Sequence, residues 1–109
     1  MDTFKIKKND KNPALSTTLQ YNDGTAVDLN NGSVWFIMAN RDYTPYYSGA
    51  AVITGSDTGN VEYRWDGAND TGSVGTFWGE FEVQWNDAGS KMTLPSDHSL
   101  KIQVYEDYN

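Results

Sequence analysis

Apolar and polar residues alternate almost from the start of the chain. Phe4 and Ile6 face one way and Lys5 and Lys7 the other, which predicts a strand over about residues 3–8. Asn9 to Pro13 reads as a turn, since Pro cannot donate to a ladder. Leu15, Thr17, Leu19 and Tyr21 then share a face, and Asp23-Gly24 ahead of Val27 and Leu29 predicts a tight hairpin. The run 33–39 is nearly all apolar and predicts a central strand covered on both faces. Val34, Phe36 and Met38 would point to the core, with Trp35 and Ile37 on the other side.

The stretch 40–49 is the longest candidate loop and carries Tyr43, Tyr46 and Tyr47. A modest strand is expected over 50–54 and a turn over 55–59. Val61, Tyr63 and Trp65 alternate with Glu62, Arg64 and Asp66, followed by a polar loop over 66–73. In 75–85, Phe77, Phe81, Val83 and Trp85 oppose Thr76, Trp78, Glu80, Glu82 and Gln84. Gly79 falls on the apolar face, where a missing side chain predicts a bulge or the close approach of a neighbour. A turn at 86–89, a strand at 91–94 and a break at Pro95-Ser96-Asp97 come next. Leu100, Ile102 and Val104 alternate with Lys101, Gln103 and Tyr105 in a last strand that runs almost to Asn109. Seven to nine short strands, with turn clusters about every ten residues, predict one antiparallel sandwich or barrel.

Composition agrees. Val, Ile, Thr, Phe, Tyr and Trp make up 36 of the 109 residues, against 16 for Ala, Leu and Glu. A chain of this length is the usual size of a single domain. Without cysteine there is no disulfide framework and no thiolate metal site, and the redox compartment stays open. A net charge of −7 argues against a nucleic-acid groove, which needs clustered Lys and Arg. The basic cluster Lys5, Lys7, Lys8 and Lys11 sits near the N-terminus. No apolar run is long enough for a membrane-spanning helix, and the first residues do not resemble a secretory signal.

Candidate chemistry is sparse. Asp57 and Asn60, and Asp66, Asn69 and Asp70, offer oxygen ligands at calcium-like density. They lack the spacing of an EF-hand, and turns demand the same residues. Glu80 and Glu82 share a strand face roughly 6.5–7 Å apart, a separation also used by glycosidase carboxylates. Acid–base catalysis needs a perturbed pKa in a pocket, so exposed strand charges are the simpler expectation. His98 follows a Pro95 break, and no G-x-S-x-G elbow accompanies it. No glycine-rich phosphate cradle is present, and the sequons at Asn31 and Asn69 are expected by chance. We therefore expect no catalytic residue, no cofactor and no metal ligand set.

The surplus lies in the aromatics, of which there are 15. Alternation puts Trp35, Trp78 and Tyr105 opposite the core residues, and Tyr43, Tyr46 and Tyr47 in the long loop. These six are the candidate interface, because Trp and Tyr anchor protein contacts. As flat platforms they also suit sugar rings, which makes a carbohydrate-binding module that recognises host surface glycans the alternative reading.

A series of short motifs runs the length of the chain. It begins with Phe4-Lys5-Ile6-Lys7, Asp10 and Pro13, then Asp23-Gly24-Thr25 with Val27-Asp28-Leu29, then Val34, Phe36 and Met38. It continues with Thr58-Gly59, Val61, Tyr63 and Trp65, Asp70-Thr71, and Gly75-Thr76-Phe77 with Gly79-Glu80-Phe81-Glu82-Val83. It closes with Asp87, Gly89, Thr93, Pro95-Ser96, Ile102, Val104 and Glu106-Asp107. In order and spacing the series resembles the immunoglobulin-like N-terminal domain of tailed-phage baseplate upper proteins and related tail-associated proteins.

The resemblance implies an all-β, immunoglobulin-like antiparallel sandwich with a structural, non-enzymatic role in a virion. Its partners would be other virion proteins of capsid, tail or baseplate, met in many copies, with neither nucleic acid nor membrane. In that family a longer receptor-binding or fibre-connecting region usually follows, whereas this sequence ends at Asn109. That departure leads us to expect a capsid decoration or cement protein, or a small tail component.

Overall fold

The computed structural model describes residues 2–21, 23–86, 90–94 and 100–106. Among them the chain forms nine strands and no helix. They are β1 (Asp2–Lys7), β2 (Leu15–Thr18), β3 (Gly32–Ala39), β4 (Pro45–Ala50), β5 (Val52–Gly55), β6 (Asn60–Tyr63), β7 (Gly75–Trp85), β8 (Lys91–Leu94) and β9 (Leu100–Tyr105). The larger sheet runs β1-β9-β7-β3-β4, with β8 also on β7, and the smaller runs β2-β6-β5. The protein is an all-β sandwich.

β7 organises the larger sheet. One of its edges pairs β3 from Trp78 to Trp85. The other is shared end to end, by β9 along 75–79 and by β8 along 81–84. β1 closes one side of the sheet by pairing parallel to β9, while β4 closes the other antiparallel to β3.

Period-two alternation sends one apolar row from each strand between the sheets. Ile6, Val34, Phe36, Met38, Phe77, Phe81, Val83, Ile102 and Val104 come from the larger sheet, and Leu15, Val61 and Tyr63 from the smaller. Phe36 is central: its ring lies 4.6 Å from Tyr63 and 5.1 Å from Phe81, with Trp65 edge-on at 5.7 Å. The close approach expected at Gly79 is present. A Cβ there would stand 3.1 Å from both the Phe36 ring and Leu100 Cδ2.

The Asp23-Gly24 hairpin also forms. Gly24 takes φ +88°, Asp23 accepts the Thr25 N–H at 2.9 Å, and Gln20 bridges Ala26. That N–H, with the Thr25 side chain, holds the Asp23 carboxyl below its ordinary pKa.

Four expectations change. The proposed loop over 40–49 is a short turn, 40–44, followed by β4. Asp42 makes the turn by accepting the Thr44 hydroxyl and N–H, which also lower its pKa. Tyr46 and Tyr47 then extend the chain as a strand, as aromatic residues favour, with Pro45 tolerated at its start. Next, 50–54 is not one strand: the chain leaves the larger sheet at Ala50 and enters the smaller at Val52, turning on small residues around Ala51. Third, β3 is central by its hydrogen bonds but, among the described residues, covered on one face only, leaving Trp35 exposed and Ile37 half-buried. Last, the strand expected through Tyr21 stops at Thr18, and Tyr21 is exposed. His98, the 87–89 part of the following turn, the 95–97 break and residues 107–109 lie outside the described residues.

Candidate functional site

The outer face of the larger sheet follows from strand register. On it, Lys101 lies opposite Trp78, Glu80 opposite Ile37, and Glu82 between Thr93 and Trp35. Ser48 and Ala50 of β4 flank Ile37 and Trp35, and Lys5 and Lys7 lie on β1 beside Gln103 and Tyr105. Among the described residues no strand covers this face.

Its two tryptophans differ. Trp78 is occupied within the chain: Tyr43 stacks on it at 5.8 Å with planes 13° apart. Lys101 Nζ sits 5.9 Å above its ring, and its indole N–H donates to the Arg41 carbonyl at 3.3 Å. Tyr43 takes φ +69° in the turn that brings it there. Trp35 is 41% exposed and has no ring, cation or hydrogen-bond partner among the described residues. Four residues along the strands and one strand across separate the two, about 14 Å. Trp35 borders a shallow groove of about 430 Å³ with Ile37, Pro45, Ser48 and Glu82.

The six expected interface residues are thus only partly gathered. Trp78 and Tyr43 form one unit, Trp35 lines the groove together with Tyr46 and Tyr47, and Tyr105 lies at the opposite side of the sheet, paired in register with Lys7. Tyr46 and Tyr47 are half-buried: they pack in part against the core and also line the groove beside Trp35. Pairing slips between Met38 and Ala39, so Tyr46 is the extra residue of a bulge that re-aims side chains. Its ring stacks on Phe77 at 4.4 Å.

Tyr47 reaches a polar cluster at the edge of the core. Its hydroxyl lies 3.5 Å from Asp66 Oδ2, and burial, then the charges of Asp66 and Asp70, push its pKa up. Asp70 is fully buried and accepts four hydrogen bonds: from the Tyr63 hydroxyl, the N–H groups of Asp66 and Gly67, and its neighbour Thr71. Asp66 accepts from the Ala68 and Asn69 N–H groups, and these hold its pKa at about 2.

These carboxylates serve the loop backbone, which is the turn-forming expectation. Asn9 and Thr71 then tie the loop to the segment after β1. No group of three or more His, Asp or Glu among the described residues is placed to hold a metal ion. Glu80 and Glu82 lie half-buried on the outer sheet face.

Register was the missing signal. Alternation alone assigns Lys101, Ile37 and Glu82 to a face, but which of them meets Trp78 or Trp35 depends on strand order. The chain matches no protein-family model, and no curated protein matches its sequence.

Proposed function

We propose that this protein is a non-enzymatic structural component of a tailed-phage virion, an immunoglobulin-like sandwich that docks on other virion proteins. The open face of the larger sheet is the docking surface. One observation carries the reading: Trp35 stands 41% exposed in mid-sheet with no ring, cation or hydrogen-bond partner among the described residues. An exposed indole beside a groove is the kind of anchor on which protein contacts concentrate their binding energy. The motif series from Phe4 to Asp107 supplies the phage assignment. Capsid decoration and a small baseplate part are both compatible with it. Mass spectrometry of washed, purified particles tests the reading: the protein is expected in them at stoichiometric copy number, and its absence overturns the assignment.

A second reading rests on the same groove. Trp35 is a flat platform beside the Ser48 hydroxyl and the Glu82 carboxylate, which suits a sugar ring. A glycan array and sugar quenching of tryptophan fluorescence decide it, and silence on both removes it.

A further inference from the structure

The two terminal strands of the larger sheet, β1 and β4, are unlike. β1 carries Lys5 and Lys7 on the outer face, with Lys8 just beyond. β4, Pro45–Ala50, has no charge at all, and its outer-face residues Ser48 and Ala50 are small. Edge strands ordinarily carry charges that discourage pairing with another chain; on β4 the protection is confined to Pro45 and the bulge at its start, and Tyr47 to Ala50 carry none. Both strands are six residues long.

Strand direction is also compatible. β1 runs parallel to β9, β9 antiparallel to β7, β7 to β3, and β3 to β4. A second copy continuing the sheet in the same orientation therefore brings its β1 antiparallel to β4, with both outer faces on the same side.

Three side chains are left without partners, and they complement one another. Lys5 is exposed and has no acidic partner among the described residues. Among the described residues Glu82 has no cation, and Trp35 has no ring or cation. Four residues further along β7, the chain already shows the pairing that Trp35 lacks, with Lys101 over Trp78. The groove beside Trp35 is bordered by β4 itself. A lysine arriving on a strand added to β4 crosses only Ser48 and Ala50, and its four-carbon stem then carries the ammonium onto the indole beside Glu82.

We propose that the basic β1 edge of one copy and the β4 edge with its Trp35–Glu82 groove form a head-to-tail contact between copies of this chain. The patches differ, so the contact is heterologous and propagates beyond a dimer unless it closes into a ring. It rests on the same face as the docking role but stands or falls separately. A chain that stays monomeric yet is found in particles loses this inference and keeps that reading.

Sedimentation velocity of the full chain over a range of concentrations tests it. The wild type is expected to show a concentration-dependent series of dimers and larger species. K5E, E82K and W35A should each weaken the association about tenfold or more, with circular dichroism reporting an intact fold. The double variant K5E/E82K keeps the net charge of −7 and should stay as weak as the single variants, which separates loss of the lysine–indole contact from a change in overall charge. Mixing K5E with W35A leaves one intact edge on each and should yield dimers only. A wild type that is monomeric throughout, or association that K5E and W35A leave unchanged, overturns the proposal.

Discussion

Tyr63 donates its hydroxyl to Asp70 at 2.5 Å, joining the central aromatic cluster to the loop that follows β6. Both residues are buried, and every donor around the carboxylate comes from this chain. Buried carboxylates are expensive unless their lone pairs are met, and here four donors meet them. The pair is an anchor for the end of the sandwich.

Removing that acceptor should be costly. Asp70→Ala leaves the Tyr63 hydroxyl and the N–H groups of Asp66, Gly67 and Thr71 without their partner. A loss of about 3–5 kcal/mol is expected in urea unfolding, and about 1–3 kcal/mol for Tyr63→Phe.

Stability should fall at both ends of the pH scale. Asp66 is depressed from 3.8 to about 2, so its contribution is present above the unfolded value and is lost as pH drops toward 2. Asp23 and Asp42, also lowered, act in the same window. Tyr63 is raised above 10.0 by burial and then by Asp70, so its contribution is full below 10 and declines as pH climbs past it. Thermal melts should show a plateau between about pH 5 and 9. Asp66→Asn should flatten the acid limb, and Tyr63→Phe the alkaline one.

Gly79→Ala should destabilise the core without changing the fold. The added methyl meets the Phe36 ring and Leu100 at 3.1 Å, and Phe36 is wedged among Tyr63, Trp65 and Phe81. Overpacking of this kind costs about 1–3 kcal/mol, read as a lower melting temperature.

The two outer tryptophans should respond oppositely. Trp78→Ala removes the Tyr43 stack, the Lys101 contact and a hydrogen bond, and should cost about 1–2 kcal/mol. Trp35→Ala removes an indole with no ring, cation or hydrogen-bond partner among the described residues, and stability should stay within about 0.5 kcal/mol. Chemical denaturation of both variants checks the contrast.

Strand content and core faces could be read from alternation: β7 spans the expected 75–85, and Phe36, Phe81, Val61 and Tyr63 are buried as predicted. Alternation was silent on register, so it could not show that Lys101 covers Trp78 while Trp35 stays bare. It also failed where its own period broke. The slip at Met38 half-buries both Tyr46 and Tyr47, which touch the core and the groove at once, and two adjacent residues packing against one core are invisible to a period of two. Asp70 looked like any turn aspartate, since its burial depends on Tyr63, seven residues away in sequence.

The docking role turns on Trp35. Labelled wild-type protein and Trp35→Ala, matched for stability, should be mixed with purified particles depleted of the native protein, and the bound fraction measured after sedimentation. The wild type should bind saturably and the variant at least about tenfold more weakly, as expected for a central anchor residue. Equal binding by the two would contradict the assignment of this face as the docking surface.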